Sequence, residues 1–170
     1  MLTSSLFLPP YMALLTPHSK SLLLRSYLFA SLVWWVARGR PELNIKAFYA
    51  ATSAHPIPFG RRPTPHKDSL LSDDPKAVVP NPWFPIVENA IVHPDDHLPK
   101  AQRAFAHYAT LYGSREAGLA DFKETELADA DKLDGTLFVR AAALTEKRMG
   151  RVHEGEESGG WDRYGFYKSK

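Results

Sequence analysis

Five polar side chains between His93 and Gly113 have the types and the spacing that acid–base chemistry requires. They are Asp96, His97, Lys100, Arg103 and His107. Imidazoles exchange protons near neutral pH, and cations stabilise the negative charge of an enolate or an oxyanion. We therefore predict that the two histidines are acid–base catalysts, that the two cations hold an anion, and that the aspartate orients a histidine.

This segment is expected to form one two-faced helix that ends at Gly113. Apolar residues recur at helical spacing on one side, and the polar residues other than His97 recur on the opposite side. The apolar members are Leu98, Ala101, Phe105, Tyr108 and Tyr112. The alternative is a solvated polar face, on which Asp96 and Lys100 form a surface pair one helical turn apart.

His93 and His97 raise the question of a metal site, because they are four residues apart. The surrounding prolines argue against it, since they place the two imidazoles on either side of a bend. In addition, Pro99 disfavours helical angles at Leu98. The two carboxylates between the histidines suit the start of a helix, where they accept bonds from unpaired N–H groups. We therefore predict no metal.

Size and composition limit the classes of function. A chain of 170 residues suits one domain, so we predict a single domain over residues 1–170. A net charge of +2 gives no general attraction to nucleic acid. The absence of cysteine is typical of a cytoplasmic protein and excludes disulfides and thiolate ligands. The sequence has no dinucleotide-binding glycine turn, phosphate loop, Gly-x-Ser-x-Gly elbow or His-Glu-x-x-His motif.

The elements around the two-faced helix are predicted to be helices as well. The fold class is therefore mostly α, an irregular helical bundle. Thr16 and Pro17 begin a first helix, and Gly39 ends it. The stretch Leu22–Ala37 is apolar on nearly every face but shorter than a membrane span, which favours a buried helix and no stable membrane insertion. A second, shorter helix is predicted to begin at Pro41.

Proline dominates the middle of the chain. Ten of the fourteen prolines lie between Pro56 and Pro99, which predicts a long proline-rich loop over residues 53–82. A short helix from Pro85 to Val92 follows it. After the two-faced helix, an acidic connector over residues 121–134 leads to a last helix that ends near Met149. The aromatic side chains, including those of the C-terminal tail, either fill the core or line a pocket for a flat ring.

Seven short motifs occur in a distinctive order along the chain. They are His18-Ser-Lys-Ser-Leu-Leu-Leu-Arg25, Trp34-Trp35-Val-Ala-Arg-Gly-Arg-Pro41, Pro63-Thr-Pro-His-Lys67, Asn81-Pro-Trp83, His93-Pro-Asp-Asp-His-Leu-Pro-Lys100, Leu111-Tyr-Gly113 and Leu133-Asp-Gly-Thr-Leu-Phe-Val-Arg140. Their order and number resemble the fungal questin oxidase-like proteins. The resemblance extends from about Leu14 to Tyr167 and concerns the C-terminal part of longer family members, which implies that the helical bundle is an incomplete domain.

The resemblance implies an oxidoreductase of fungal polyketide pathways. Its implied reaction is a Baeyer–Villiger insertion of oxygen beside a ring ketone of an aromatic polyketide, with NADPH as reductant and the use of a flavin left open. The five polar residues would then stabilise the oxyanion and move protons, and aromatic side chains would stack on the substrate.

Two other classes of function stay open. In the first, the chain is a non-catalytic helical module or an inactive shortened fragment. Such a module would associate with itself or pair with a missing N-terminal half, because an incomplete bundle exposes apolar surface. In the second, Leu22–Ala37 anchors the protein to a membrane.

Overall fold

The structure is a computed structural model that describes residues 1–55 and 81–161. Within these ranges the chain forms eight α-helices and two short 3₁₀ turns, and it forms no strand. The helices are α1 (Leu2–Ser5), α2 (Leu8–Leu14), α3 (Pro17–Ala37), α4 (Ile45–Ala51), α5 (Trp83–Val92), α6 (His97–Tyr112), α7 (Ala120–Lys123) and α8 (Leu137–Met149). The prediction of a mostly α fold is confirmed.

The chain divides into two compact units, of which the first contains Met1–Leu43 and the second contains Asn44–Gly160. The prediction of one domain over residues 1–170 stays a prediction. The predicted proline-rich loop lies largely outside the described residues, and so do the residues of the aromatic tail beyond Trp161.

The longest helix of the first unit, α3, begins and ends where the sequence predicted. The Thr16 side chain accepts a hydrogen bond from the Ser19 N–H, which is the predicted cap, and Gly39 follows the helix with a φ of 87°. The predicted burial of this helix is wrong. None of its residues is buried, and Phe29 and Trp34 are 70% and 59% exposed. No helix within the described residues is long and apolar enough to cross a membrane.

The second unit is built on three helices, since α5, α6 and α8 all pack against one another. Ile86, Val139 and Ala142 form its buried core, with further apolar side chains packed around them. Leu98 of α6 is also fully buried, as the two-faced pattern predicted. Burial of an isoleucine, leucine or valine side chain stabilises the fold by roughly 1.5–3 kcal/mol.

The start of α6 corrects one detail of the sequence interpretation. The helix begins at His97, so Leu98 and Pro99 both lie in its first turn. The Leu98 N–H donates to the Asp95 carbonyl over 3.2 Å, which is a tight-turn bond. A proline at the third helical position costs no intrahelical bond, because the first four N–H groups have no partner inside the helix. The prediction that Pro99 keeps Leu98 away from helical angles is therefore wrong, whereas the place of Leu98 on the apolar side of the helix and the predicted end at Gly113 are confirmed.

The second helix starts later than predicted. Asn44 caps α4 by accepting a hydrogen bond from the Ala47 N–H over 2.9 Å, so the helix begins at Ile45 rather than at Pro41. The α5 helix begins two residues before the predicted Pro85, at Trp83, with the Asn81 side chain accepting from the Trp83 N–H. The last helix, α8, ends at Met149 as predicted.

The junction before α8 requires a glycine. Gly135 packs so closely on the C-terminal end of α6 that a Cβ there would overlap the carbonyl oxygens of Tyr112 and Gly113. Its N–H donates to the Arg115 carbonyl over 2.8 Å. This close approach fixes the position of α8 against α6.

Candidate functional site

The five predicted site residues form an exposed polar face of α6. Asp96 precedes the helix, and His97, Lys100, Arg103 and His107 follow along it, all of them exposed. The buried residues of α6 lie elsewhere on the helix and are Leu98, Gln102 and Ala104. The structure therefore leaves all five residues open to solvent in the described part of the chain, with Asp96, Lys100, Arg103 and His107 at helical spacing and His97 next to Asp96. Their catalytic roles stay predictions.

His97 has the geometry of an oriented histidine. Its Nδ1 lies 3.0 Å from a carboxylate oxygen of Asp95 and 3.0 Å from one of Asp96. The Asp95 carboxylate also accepts the His97 backbone N–H over 2.8 Å, as expected for the start of a helix. Because Nδ1 is occupied by carboxylates, Nε2 is the ring atom that can exchange a proton with a ligand.

The predicted surface pair between Asp96 and Lys100 is present. Lys100 Nζ lies 2.5 Å from Asp96 Oδ2, one helical turn away. The hydrogen bond from Lys100 lowers the pKa of the fully exposed Asp96 below its ordinary value. Lys100 is thus tied to a carboxylate, which leaves Arg103 better placed than Lys100 to meet an anion from solution. Further along, the His107 ring contacts Tyr108 edge-to-face, with centroids 5.3 Å apart.

His93 does not act together with His97. It is buried, and its Nε2 donates to the Met149 carbonyl over 2.9 Å while its Nδ1 accepts the Asp95 N–H over 3.1 Å. The Nε2 bond therefore joins the end of α5 to the end of α8, and the Nδ1 bond stabilises the turn between α5 and α6.

The three possible metal ligands at the start of α6 are explained without a metal ion. Asp95, Asp96 and His97 offer ligand atoms within 4.8 Å of one another. Helix-start bonds and the Lys100 pair account for their placement, and the prediction that the chain binds no metal stays a prediction.

The sequence analysis missed a buried cluster of polar residues at the C-terminal end of α8. It consists of Asn89, Glu146, Arg151 and Glu154, which we call the buried cluster. The guanidinium of Arg151 donates through Nη1 to Glu146 Oε2 over 2.6 Å, and through Nη2 to Glu154 Oε1. The Asn89 side chain donates to the Gly150 carbonyl and accepts the His153 N–H over 3.1 Å. One cation and two carboxylates are thus enclosed together.

Burial dominates the electrostatics of Glu146. Loss of water raises the pKa of this fully buried carboxyl group from 4.5 to about 8, although the charge of Arg151 and the amide of Asn89 both favour the ionised form. The charge of Glu154 adds to the increase. Within the described residues, Glu146 Oε1, Arg151 Nε and Glu154 Oε2 have no hydrogen-bond partner. The positive charge of Arg151 and the observed hydrogen bonds therefore do not fully compensate two ionised carboxylates in this cluster.

A signal for this cluster was present in the sequence. Val139, Ala142, Glu146 and Met149 are all buried and recur at helical spacing, so Glu146 occupies a core position of α8. Asn89 and Gln102 occupy similar positions on α5 and α6. A polar residue inside an apolar stripe indicates a buried polar contact. The periodicity of α8 does not reveal the partners of Glu146, because they lie on α5 and in the segment after α8.

A second polar network joins α4 to α8. Arg140 donates to Thr136 Oγ1 and to the Thr52 carbonyl, and it stacks 4.7 Å from the centroid of the Tyr49 ring. The Tyr49 hydroxyl accepts the Asp134 N–H over 3.0 Å, and burial raises the pKa of Tyr49. These bonds satisfy the C-terminal end of α4 and the N-terminal end of α8, so the network is accounted for by helix capping.

The acidic connector forms an open cavity of about 550 Å³ in the second unit. Glu126, Asp129 and Asp131 are among its lining residues, together with Gly118, Phe122 and neighbours in the same loop. Three carboxylates around one cavity repel phosphate groups, so this cavity does not suit a nucleotide.

Comparison with known families identifies the class of this protein. The model of the questin oxidase-like family matches residues 1–105, which is more than half of the 170 residues. The chain therefore belongs to the questin oxidase-like family, and this membership indicates an oxidoreductase. Comparison with curated proteins finds no match, and comparison with solved structures finds none.

The matched region ends within α6. Four residues of the polar face lie inside it, whereas His107, Glu146, Arg151 and Glu154 lie beyond it. That the chain corresponds to the C-terminal part of longer family members stays a prediction.

Proposed function

We propose that this protein is an oxidoreductase that inserts one oxygen atom beside a ring ketone of an aromatic polyketide. In the balanced reaction, ketone, O₂, NADPH and a proton give an ester, NADP⁺ and water. The observation that carries the proposal is the match of residues 1–105 to the questin oxidase-like family. A role in fungal secondary metabolism and a cytoplasmic location belong to the same proposal, the latter supported by a composition without cysteine.

The polar face of α6 is the proposed site of this chemistry. Oxygen insertion at a ketone passes through a tetrahedral adduct that bears an oxyanion, and nearby cations stabilise such a charge. Arg103 and Lys100 supply positive charge, and His97 can transfer a proton through Nε2 because carboxylates hold its Nδ1. His107 lies one turn beyond Arg103 and is the second proposed proton-transfer group.

The described cavity of the acidic connector does not fit NADPH. The sequence has no dinucleotide-binding glycine turn, and the acidic lining of the described cavity repels phosphate. The proposed use of NADPH is therefore supported by family membership alone. The proposed site on α6 is also open to water. The bound substrate ring would therefore itself exclude part of the water from the reacting groups.

A conservative substitution tests the proposed role of His97. His97→Asn keeps a side-chain N–H for the carboxylates but removes the proton-transfer nitrogen, so kcat on an anthraquinone ketone is expected to fall by about 10²-fold or more. His18→Asn is the matched control, because His18 is exposed in the first turn of α3. The assay follows ester formation by mass spectrometry with NADPH consumption. A kcat for His97→Asn within twofold of that of the control variant would exclude the role.

The exposure of α3 favours a second candidate function, a non-catalytic module that associates with a second copy of itself. Large apolar side chains of α3 are exposed on all sides of the helix, including Leu28, Phe29 and Trp34. Contiguous apolar surface of this kind marks interaction sites. Sedimentation of the purified chain tests this candidate: concentration-dependent association that Phe29→Ser weakens supports it, and a monomer at all concentrations argues against it.

A further inference from the structure

The end of α8 and the segment that follows it enclose more negative charge than positive charge. Arg151 is one cation, and it lies between two carboxylates, Glu146 and Glu154. All three side chains are at least nine-tenths buried, with exposed fractions of 5%, 0% and 2%. With both carboxylates ionised, the three groups together carry a net charge of −1, and an uncompensated charge is very unfavourable in the protein interior.

The Asn89 amide favours ionised Glu146, but Arg151 is the one cation among the groups that shift the pKa of Glu146. From α5, Asn89 and His93 face this region, and the His93 ring bonds to the Met149 carbonyl. From α6, the Gln102 side chain donates to the Ala142 carbonyl over 3.0 Å, one turn before Glu146.

The following segment contributes Arg151 and Glu154, and Glu156 accepts the backbone N–H of Arg151 over 2.8 Å. One oxygen of Glu146 and one of Glu154 have no partner among the residues that the structure describes.

From this geometry we propose that the buried cluster is a proton-binding site that fastens residues 150–160 to α5 and α8. One proton resides on the carboxyl pair, on Glu146, so that Arg151 and ionised Glu154 form a neutral pair beside a neutral carboxyl group. The enclosed charge is then zero. The full burial of Glu146 selects it as the protonated member, and the increase in its pKa caused by burial agrees with this assignment.

The proton is coupled to the segment through backbone contacts. The Gly159 N–H donates to the Met149 carbonyl over 2.5 Å, and the His153 N–H donates to Asn89 Oδ1. Gly150 adopts a φ of 87°, and a Cβ at Gly159 would approach the Arg148 carbonyl oxygen closely, so the segment lies directly on the end of α8. Ionisation of Glu146 creates a second buried negative charge beside Glu154, and their repulsion loosens this segment.

The first experiment detects the proton itself. Infrared difference spectra of the full chain between pH 6 and pH 10 are expected to show the carbonyl stretch of a protonated carboxyl group that disappears at high pH. This band should be absent in Glu146→Gln and unchanged in Glu88→Gln, a control at an exposed carboxylate on α5. A wild-type spectrum without the band at pH 6, or the same band in Glu146→Gln, would overturn the proposal.

The second experiment tests the charge count and the coupling. Glu154→Gln leaves one cation and one carboxylate, so the proton affinity of Glu146 should fall by about tenfold or more, which is one pH unit in the midpoint of the band. This variant keeps the proposal testable if Glu146→Gln does not fold, since an unchanged midpoint would refute it. Amide exchange of His153 and Gly159 at pH 9 should be about tenfold faster in the wild type than in Glu146→Gln. Equal exchange rates would refute the coupling to the segment.

Discussion

Replacement of Arg151 by methionine is expected to destabilise the protein strongly, because it removes the cation that two buried carboxyl groups share. Breaking a buried ion pair from one side costs about 3–5 kcal/mol, since the remaining charge stays buried without a partner. At pH 6 this charge is on Glu154, whereas Glu146 is neutral, because burial raises its pKa to about 8. The two carboxyl groups should therefore contribute unequally to the loss.

Double-mutant cycles separate the two contributions. At pH 6, denaturant unfolding of Arg151→Met, Glu154→Gln and the double variant should give a coupling energy of about 3 kcal/mol, as expected for an ion pair held by hydrogen bonds. The corresponding cycle for Arg151 and Glu146 should give about 1.5 kcal/mol, because only the donor of this hydrogen bond is charged. At pH 10 the second value should rise towards the first. A Glu146 coupling at pH 6 equal to or larger than that of Glu154 would refute the assignment of the proton.

Two further predictions concern pH and the approach of α8 to α6. The pKa of Glu146 is about 8 in the folded protein and 4.5 ordinarily, so its stabilising contribution is fully present below pH about 4.5 and is lost as pH rises through about 8. In thermal or urea unfolding, the free energy of unfolding of the wild type relative to Glu146→Gln should fall by about 1.4 kcal/mol per pH unit in that window; a constant difference would contradict the prediction. Gly135→Ala should lower the free energy of unfolding by about 2–3 kcal/mol, because its Cβ would overlap backbone oxygens at the end of α6. Gly160→Ala is the control with open space around the Cβ, and an equal effect of the two substitutions would count against the close approach.

Local signals in the sequence predicted the helices well. Thr16 and Pro17 mark the start of α3, Gly113 follows the end of α6, and α8 ends at Met149 as expected. These boundaries are set by capping groups and by residues adjacent in sequence, so the chain reveals them directly. The start of α4 was predicted less well. Pro41 suits the first position of a helix, but the observed Asn44 cap places the start at Ile45.

Burial was harder to predict because it depends on what packs against an element. An apolar pattern on every face suggested that α3 is a buried helix, but in this chain its apolar side chains are exposed. The buried cluster was missed for the opposite reason. Glu146 and Asn89 lie on apolar stripes of two different helices, and their common partner, the segment after α8, has no helical pattern of its own. Asp96, Lys100, Arg103 and His107 are exposed at the helical spacing that the sequence predicted, whereas their catalytic roles stay predictions.

Incubation of the purified chain with an anthraquinone ketone, NADPH and ¹⁸O₂ tests the proposed function most directly. We expect an ester product that carries one ¹⁸O atom in its new C–O linkage, with one NADPH consumed per ester formed. Recovery of the unchanged ketone, or an ester whose new oxygen comes from water, would contradict it.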